Sequence, residues 1–283
     1  MRNSIFIAVL FIGVYLAVPV VASAHQPRIP SSTKVTVQTP QVSQAFYAQL
    51  AGEPYTYTIT SGSSFDLYVN VLVPDIEDQK RDVSAIITKV GETQPIAILN
   101  ASNWVWQKFY EPFGRDSYLK GPEFEARVDA GMYEIKVWSP RNDSKYALAI
   151  GKEERFGLEQ GLSAIQLIPR IKRDFFNESP AGFIFSAYGA AYVFVLFIFS
   201  FIAGFLYRGI LRYVAAGTTR GLEQNIGRPD RLVRALLGIV LFVWAITTSW
   251  SPILFFFSGF CFFQAIFSWC GFYAALGRTT CPA

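Results

Sequence analysis

The sequence predicts an exported all-β domain, an antiparallel sandwich of jelly-roll-like type, followed by three transmembrane α-helices of which the last two form a helical hairpin. Three observations lead to this fold class. The chain begins with a secretion pattern, residues 26–152 alternate between apolar and polar side chains, and two long C-terminal stretches contain no charged residue. Alternation is typical of half-buried strands, and charge-free runs of this length are typical of membrane helices.

Residues 1–24 have the pattern of a signal peptide. Arg2 is followed by an apolar run over residues 5–21 and then by Ala-Ser-Ala, the small residues that precede a cleavage site. The run is long for this purpose, so a retained signal anchor is the alternative to cleavage after Ala24. Either outcome places the following residues outside the cytoplasm.

The exported domain is expected over residues 26–152. About 120 residues are enough for one hydrophobic core, and they contain no cysteine, so no disulfide supports that core. Short strands separated by glycine, proline, asparagine and aspartate are typical of an antiparallel sandwich. The alternating runs are residues 45–50, 54–60, 65–73, 83–89, 95–99, 124–128, 132–138 and 146–150.

Parts of these runs resemble a known family. Residues 52–60 (GEPYTYTIT) and 65–69 (FDLYV) are similar to the opening of bacterial pre-peptidase C-terminal domains. Residues 129–137 (DAGMYEIKV) and 145–150 (KYALAI) are similar to their closing hairpin. The resemblance covers about half of the domain and implies a secreted, jelly-roll-like sandwich that is accessory to other proteins.

Residues 153–180 change to a helical period, with apolar residues recurring every three or four positions and Pro169 within the run. Two interpretations stay open. The segment is an amphipathic juxtamembrane connector that lies on the outer surface of the membrane, or it is a linker helix that packs on the sandwich.

Charge asymmetry predicts the membrane orientation. Residues 181–207 form the first span, the arginine-rich loop 208–230 stays in the cytoplasm, and the hairpin 231–283 goes out and returns. The hairpin turns at residues 249–252, Ser-Trp-Ser-Pro, where proline stops a helix. Residues 26–180 hold 17 basic and 19 acidic residues, so the net charge of +4 comes from the arginines that flank the spans. This charge is an orientation signal and does not indicate nucleic-acid binding.

Residues 222–283 carry a more specific resemblance. Residues 225–234 (NIGRPDRLVR), 259–263 (GFCFF) and 270–281 (CGFYAALGRTTC) are similar to the YgaP-like inner-membrane transmembrane domain, a two-helix module found alone or fused to other domains. In its namesake the module is fused to a cytoplasmic rhodanese and forms a homodimer, so the resemblance implies a bacterial inner-membrane hairpin that dimerises. The family often has Cys-Pro-Leu-Tyr where this chain has Cys-Gly-Phe-Tyr.

Four charged residues at the start of the hairpin form the first candidate site. Asp230 suits the positive end of its helix and lies four residues before Arg234, the spacing of an ion pair. Arg231 and Arg234 oppose the helix dipole, a cost that lipid phosphates outweigh. We expect Arg228, Asp230, Arg231 and Arg234 to form a membrane-surface anchor, with a specific anion or headgroup contact as the alternative.

Small and weakly polar residues lie on one face of each hairpin helix. Gly238 and Ala245 in the first helix, and Cys261 and Gln264 in the second, permit close helix packing. Gln264 needs a hydrogen-bond partner within the membrane. Packing or dimerisation is therefore a better interpretation than a transport path.

The three cysteines are expected in the last helix and its tail. Cys261 and Cys270 are nine residues apart and fall on opposite helix faces, so they cannot pair. Cys270 and Cys281 are a candidate thiol pair or sulfur relay, with Arg278 as the nearest cation, and the alternative is two ordinary reduced thiols. The second is preferred because the C-terminal end of a helix disfavours a thiolate at Cys270.

The sequence supplies few groups for catalysis or metal binding. His25 is its only histidine, which excludes a Ser-His-Asp triad and a multi-histidine zinc site. His25 for copper, and the acidic loop with Asp75, Glu77 and Asp78 for calcium, are weak candidates, so we expect no metal and no cofactor. The aromatic residues within 104–118 exceed the needs of a core, and the surplus is a candidate ligand or partner surface.

These observations predict a membrane-anchored exported binding or interaction module and not an enzyme. The expected location is the bacterial cytoplasmic membrane, with a periplasmic or extracellular N-terminal domain and a cytoplasmic C-terminus. The expected partners are the lipid bilayer, a second copy bound through the hairpin, and an unidentified protein or ligand outside the cytoplasm. The alternatives are a redox or sulfur-handling membrane protein that uses Cys270 and Cys281, and a small transporter.

Overall fold

The computed structural model describes residues 25–155, 157–214 and 224–281. The predicted signal peptide and part of the predicted arginine-rich loop lie outside the described residues. The described chain divides after Ser186 into two compact units. Residues up to Ser186 form the β unit, and residues from Ala187 onward form the helical unit. The predicted order, sheets first and helices second, is confirmed.

The β unit contains two sheets. Its described strands are β1 (Gln26–Arg28), β2 (Lys34–Val37), β3 (Gln44–Gln49), β4 (Tyr55–Ser61), β5 (Phe65–Pro74), β6 (Ser84–Lys89), β7 (Ala97–Leu99), β8 (Gln107–Glu111), β9 (Asp116–Val128), β10 (Gly131–Trp138) and β11 (Lys145–Ile150). The six-stranded sheet has the order β1-β3-β11-β5-β9-β8, and the five-stranded sheet has the order β2-β4-β10-β6-β7. A short 3₁₀ helix, Ala101–Asn103, joins β7 to β8.

The sheets are antiparallel except at one edge of each, which corrects the prediction of a wholly antiparallel sandwich. β1 runs parallel to β3, and β2 runs parallel to β4. From β1 to β4 the chain changes sheet at every step, so these neighbours within a sheet are not joined by a hairpin. The alternation does not predict β1 and β2 because they have only three and four residues, and it does not predict β8 because four of its five residues are exposed and no buried face alternates.

Strand β9 begins at Asp116, well before the predicted run at 124–128. It includes Gly121 and Pro122, which in a sequence favour a turn. In the structure they lie at a register shift between β5 and β9. The Asn70 amide donates hydrogen bonds to the carbonyl oxygens of Gly121 (3.1 Å) and Pro122 (3.2 Å), so the groups left unpaired by the irregularity are satisfied.

The main core lies between the two sheets and consists of the inward side chains of the central strands. Val69, Ile135 and Leu148 are fully buried there, and burying each such side chain contributes about 1.5–3 kcal/mol. Tyr57 and Tyr146 bring polar groups into this core, and their hydroxyls share a hydrogen bond of 2.9 Å. Each hydroxyl therefore offsets the desolvation of the other.

Helix α1 (Leu158–Asp174) packs on the outer face of the six-stranded sheet. Its apolar stripe, which includes Ile168 and Ile171, is buried. These contacts correspond to the second interpretation of residues 153–180, the helix that packs on the sandwich. The resulting second core contains Leu72, Tyr118, Ala147, Ala149, Ile171, Phe175 and Phe176.

The helical unit has three long helices, and the middle one in space is α4. Its helices are α2 (Ala187–Val214), α3 (Arg228–Thr247), α4 (Pro252–Phe267) and the short α5 (Gly271–Ala275). α4 packs against both α2 and α3. Among the described helices, α2 is the one long and apolar enough to cross a membrane, and α4 is apolar but has 16 residues.

The helix ends follow from local sequence. α2 begins at Ala187 and not at residue 181, because Pro180–Phe185 forms a 3₁₀ helix. The predicted turn after α3 is present, since Trp250 has a φ of 53° and Pro252 is the first residue of α4. Proline is favoured at the first helical position because its missing N–H would be unpaired there anyway.

Small residues bring the helices of this unit close together. The Ser258 hydroxyl on α4 donates to the Gly238 carbonyl on α3 at 2.8 Å, and the Ser200 hydroxyl on α2 donates to the Phe256 carbonyl on α4 at 3.0 Å. Gly238 and Ala245, expected to be packing residues, are buried. Hydrogen bonds from serine to a neighbouring backbone are typical of helices that pack in membranes.

The last apolar helix ends earlier than the sequence predicts. α4 stops at Phe267, Ser268 takes a left-handed conformation with a φ of 52°, and Cys270 is the residue before α5. The prediction that Cys270 lies near the C-terminal end of a long helix is therefore wrong. The dipole argument against a thiolate at Cys270 fails with it.

Candidate functional site

The start of α3 meets the end of α4, and the arginines of the first candidate site lie at this junction. Arg231 Nε donates to the Ala265 carbonyl oxygen at 2.7 Å, and Arg234 Nη1 donates to Gln264 Oε1. We call this junction the arginine cap: Asp230, Arg231 and Arg234 of α3 with Gln264 and Ala265 of α4.

The contacts of the arginine cap explain why Arg231 and Arg234 are tolerated near the start of α3, where the helix dipole disfavours positive charge. The last turn of α4 has carbonyl groups without partners inside the helix and carries a partial negative charge. Arg231 and Arg234 oppose the dipole of α3, but they complement the dipole of α4. The contact with α4 thus offsets this cost in addition to the lipid phosphates that the sequence argument invokes. Gln264 also gains the partner that the sequence required.

An acidic residue completes the cap. Asp230 Oδ1 accepts from Arg234 Nε at 3.1 Å, the ion pair that the four-residue spacing predicts. Asp230 Oδ2 accepts from the Thr280 hydroxyl at 3.2 Å. The Arg234 guanidinium also lies 5.2 Å from the centre of the Tyr273 ring, within the range of a cation–π contact. Arg234 is thus held on three sides, whereas Arg228 is exposed.

Residues 224–227, just before α3, hold both ends of the final segment. The Asn225 amide donates to the Cys270 carbonyl oxygen at 2.9 Å and accepts from the Cys270 backbone N–H at 2.8 Å. The Thr280 N–H donates to the Asn225 carbonyl oxygen at 3.0 Å. A β-carbon at Gly227 would collide with the Thr280 carbonyl, so this approach requires glycine.

Both candidate thiols therefore lie on segments that contact residues 224–227. Cys270 is 4% exposed, and Cys281 is half-buried with its sulfur 3.5 Å from the Gln224 carbonyl oxygen. Cys261, Cys270 and Cys281 are all free thiols. The chemical consequence is a rigid backbone around a buried thiol at Cys270 and an accessible thiol at Cys281.

Sequence reasoning does not find Asn225, Tyr273 or Thr280. The available signal for Asn225 is its position shortly before a Gly-Arg-Pro helix start, where a polar residue usually caps its own helix. Here its side chain binds the distant Cys270 backbone instead. Contacts of this kind depend on tertiary structure and leave no periodic pattern.

Two of the weak metal candidates, His25 and Asp75, are engaged in other contacts. His25 Nδ1 lies 2.5 Å from the Ser43 hydroxyl, and burial lowers the pKa of its imidazole. Asp75 pairs with Lys108 at 2.8 Å. Across residues 25–155, 157–214 and 224–281, no group of three or more histidine, cysteine, aspartate or glutamate side chains is arranged to hold a metal ion.

The β unit contains a buried charged group that the sequence does not indicate. Lys172 on α1 is 1% exposed, and its Nζ lies 2.5 Å from Asp116 Oδ1 at the start of β9 and 3.9 Å from Glu178. Burial raises the pKa of Asp116 to about 7, although the nearby Lys172 acts in the opposite direction. The pair fixes α1 to the six-stranded sheet.

A cavity of about 40 Å³ lies beside this pair, between α1 and the sheet. Its walls include Tyr47, Tyr118 and Ile168, and its polar groups include Glu111 and Asp116. Such a volume accommodates one or a few water molecules, far less than the hundreds of Å³ of a typical ligand pocket. The cavity therefore has room for water beside Asp116 but not for a ligand of ordinary size.

Comparison with known proteins identifies the C-terminal part. Residues 222–283 match the family model described as inner membrane protein YgaP-like, transmembrane domain. This confirms the resemblance predicted from residues 225–281, so this part of the chain is similar to a known membrane domain. No curated protein matches the sequence.

Several solved structures are weakly similar to the chain. The pre-peptidase C-terminal domain of collagenase from Bacillus anthracis is 9% identical, over 45% of this chain and 95% of that one, with a TM-score of 0.26. CorA, a surface-associated copper-binding protein of Methylomicrobium album BG8, is 6% identical over 45% and 100%, with a TM-score of 0.23. A ruminal GH26 endo-beta-1,4-mannanase is 12% identical over 40% and 20%, with a TM-score of 0.20. The first belongs to the family that the strand motifs resemble, and similarities at these TM-scores carry no argument about a ligand.

Proposed function

We propose that this chain is a membrane-anchored interaction module that holds its β unit outside the cytoplasm, with the helical unit as anchor and as the contact between two copies. The observation that carries the proposal is the match of residues 222–283 to a transmembrane domain in a chain that also contains a separate β unit. Binding is preferred over catalysis because His25, the one histidine of the sequence, is half-buried, bonds to Ser43 and lines a cavity of about 40 Å³, which is too small for a typical ligand.

Side-chain exposure in the helical unit supports an anchor. Phe199 on α2 is 59% exposed, Leu236 on α3 is 53% exposed and Ile253 on α4 is 64% exposed. In water each exposed Å² of such surface costs about 25 cal/mol relative to burial. Lipid removes this cost, so the surface fits a bilayer.

Helix length supports three crossings. At about 1.5 Å per residue, α2 is about 42 Å long, α3 about 30 Å and α4 about 24 Å, compared with about 30 Å for the hydrocarbon core. α4 is short, but it ends at the arginine cap, and arginine side chains reach toward the polar region of a bilayer. We therefore propose that α2, α3 and α4 all cross the membrane.

The orientation is proposed from charge. The loop between α2 and α3 and the first turn of α3 carry the basic excess, so they belong in the cytoplasm. The β unit, which follows the secretion pattern and precedes α2, then lies outside. The proposed partner of the β unit is an unidentified protein or ligand outside the cytoplasm. The exposed aromatic residues of β8 are part of the surface that this partner can contact.

Reporter fusions test this arrangement. Alkaline phosphatase fused after Lys152 should be active, and phosphatase fused at Thr219 or Ala283 should be inactive, because the enzyme folds only outside the cytoplasm. Green fluorescent protein at the same three sites is the matched control and should give the reverse pattern. The proposed orientation would be overturned if the phosphatase fused after Lys152 is inactive and green fluorescent protein fused at the same site is fluorescent.

Contact between two copies has its own test. Two differently tagged copies expressed in one membrane should be recovered together after crosslinking in intact cells. A version lacking residues 222–283 should lose this recovery while an unrelated membrane protein is unaffected. Recovery that does not depend on residues 222–283 would remove the helical hairpin as the contact.

A redox or sulfur-handling protein is the second candidate. The observation that favours it is that the Cys270 and Cys281 segments both contact residues 224–227. The burial of Cys270 weighs against it, because a thiol must reach its reaction partner. Retained function after replacement of both cysteines would leave the interaction module as the better account.

A further inference from the structure

We propose that the β unit rests on the lipid surface through a basal surface formed by Pro112, Phe113 and Arg115 of the β8–β9 turn together with Phe185. The inference depends on the proposed function, because it takes the β unit to be attached to a bilayer by α2. It adds a defined docking surface and a chemical partner, the headgroup region of the membrane.

The chain leading to the membrane is bound to the sheet almost up to α2. Lys145 at the start of β11 donates to the Asp174 and Phe175 carbonyl oxygens at 2.7 and 3.1 Å, and to Asn177 Oδ1 at 2.8 Å. Phe176 is buried against Tyr118. This segment is therefore part of the β unit and is not a free tether.

One side chain of this segment is left uncovered. In the 3₁₀ helix Pro180–Phe185, Phe183 is buried, whereas Phe185 is 73% exposed, the most exposed phenylalanine among the described residues of the β unit. Phe185 precedes the start of α2 by two residues, so chain length alone keeps it within about 7 Å of that helix start. An exposed aromatic ring at this position fits the boundary between water and lipid, where aromatic residues are enriched.

The β8–β9 turn is fixed to the same place. Arg115 Nη1 donates to the Phe185 carbonyl oxygen at 3.0 Å, and its guanidinium lies 6.0 Å from the centre of the Phe185 ring. The turn itself is rigid, because the Glu111 carboxylate accepts from the N–H groups of Phe113 and Gly114, each at 2.7 Å. Pro112 and Arg115 are exposed. The turn therefore lies next to Phe185.

The composition of the basal surface identifies its partner. An aromatic ring, a proline and an arginine side by side match the interface, where rings enter the acyl boundary and a guanidinium meets phosphate. The amphipathic helix α1, the other candidate for such contact, buries its apolar stripe on the sheet. The lipid contact that one of the two interpretations gave to residues 153–180 is therefore assigned to the turn and to Phe185.

Fluorescence quenching in bilayers tests this assignment. The full chain, reconstituted in phosphatidylglycerol–phosphatidylcholine nanodiscs, receives a fluorescent amino acid at one of three positions: 112, 63 or 199. Ser63 is the matched control, because it is an exposed turn residue at the opposite end of the six-stranded sheet, where Phe65 pairs with Val128. Phe199 on α2 reports the anchor itself.

We expect brominated lipid to quench position 112 about threefold more than position 63, since docked groups enter the headgroup and acyl boundary by roughly 5–10 Å. Aqueous iodide should show the reverse order. Replacing Arg115 by asparagine, which tolerates the left-handed backbone at that site (φ 60°), together with Phe185→Ser should lower lipid quenching at 112. Circular dichroism of that variant verifies that the sheets are retained.

The outcomes separate the two proposals. Equal quenching at 112 and 63, with strong lipid quenching at 199, would overturn the basal surface while leaving the membrane anchor intact. Absence of lipid quenching at 199 would overturn the anchor and with it the proposed function. A requirement for phosphatidylglycerol would assign the contact to anionic headgroups, and equal quenching in pure phosphatidylcholine would assign it to the phosphate shared by both lipids.

Discussion

The β unit and the helical unit place polar and apolar side chains in opposite ways. In the β unit, Leu148 is fully buried between the sheets, and the charged residues lie almost entirely on the outside. In the helical unit, Phe199 and Leu236 face outward, while Ser200 and Ser258 are buried between helices. The two units are therefore suited to different surroundings. The β unit excludes water from its centre, and the helical unit has an apolar outer surface, as expected for a part of the chain that is similar to a transmembrane domain.

Charged side chains are buried differently in the two units. Among its described residues, the β unit buries one ion pair, Lys172 with Asp116, at the junction of α1 and the sheet. The helical unit keeps its ion pair, Asp230 with Arg234, at a helix end, where both groups stay about one-fifth exposed. A buried pair stabilises little overall, but loss of one partner leaves an uncompensated charge. The buried pair therefore makes α1 an obligatory part of the β unit.

Among the changes considered, removal of α1 should have the strongest effect on the folding of the β unit. A fragment of residues 25–186 should be soluble and folded, whereas the predicted domain 26–152 should aggregate. Without α1 the outer face of the six-stranded sheet exposes Leu72 and Tyr118 and leaves Asp116 without its lysine. Size-exclusion chromatography and dye binding to exposed apolar surface would measure the difference. A monodisperse, cooperatively unfolding 26–152 fragment would contradict the role given to α1.

The second prediction truncates one leucine in each unit. Leu148→Ala should lower the free energy of unfolding of the β unit by about 2–5 kcal/mol, because a fully packed site cannot collapse around the cavity. Leu236→Ala, on the outward face of α3, should change the stability of the helical unit in detergent by less than about 0.5 kcal/mol. Thermal unfolding of the full chain gives both values. Equal effects would remove the contrast between the two units.

The third prediction concerns pH and the buried carboxyl. Because burial raises the pKa of Asp116 to about 7, the folded β unit holds a proton that the unfolded chain has already released. The stabilising contribution of Asp116 is therefore complete below its ordinary pKa of 3.8 and is lost as the pH rises from there through about 7. The slope is at most about 1.4 kcal/mol per pH unit for one proton.

Asp116→Asn is the control for this slope. His25, whose pKa burial lowers, acts in the opposite sense below its ordinary value, and it is present in both proteins. The difference in unfolding free energy between wild type and Asp116→Asn should therefore fall as pH rises from 5 to 7. Denaturant titrations of the 25–186 fragment at several pH values measure it. A difference independent of pH would mean that Lys172 keeps Asp116 ionised in the folded state.

Sequence patterns predict the parts of this molecule that repeat. Alternation finds the central strands, such as β5 and β10, and the charge-free runs find the helices of the hairpin. The patterns do not predict that β9 continues through Gly121-Pro122, because the Asn70 side chain that satisfies the irregularity comes from another strand. Nor do they predict the end of α4 at Phe267, since Ser268 adopts a left-handed conformation more usual for glycine.

In the candidate site, the sequence predicts contacts within one helix but not contacts between helices. Spacing predicts the Asp230–Arg234 pair because both residues lie on one helix. It cannot predict that Arg231 binds the Ala265 carbonyl, which requires the start of one helix to meet the end of another. For the same reason the sequence assigns these arginines to lipid, whereas in the structure Arg231 binds a backbone carbonyl of α4 and Arg234 binds the Gln264 side chain. Arg228 and Arg231 are both exposed, so both keep surface that a headgroup can contact.

The last prediction separates the contribution of the Cys270 and Cys281 thiols from that of the hydrogen bonds between Asn225 and the Cys270 backbone. Cys281→Ala should change stability by less than about 0.5 kcal/mol, since the side chain is only half-buried, and Cys270→Ala by about 1 kcal/mol, since it removes one buried sulfur. Asn225→Ala is the matched comparison in the same contact, and it should cost more, about 1–3 kcal/mol, because the buried N–H and carbonyl of Cys270 lose their partners.

Thermal unfolding in detergent ranks the three variants, and alkylation should modify Cys281 faster than Cys270 in proportion to exposure. The opposite ranking, with Cys270 reacting first and its replacement abolishing function while Asn225→Ala is tolerated, would mean that the helical unit is arranged around thiol chemistry and not around the closure of its hairpin.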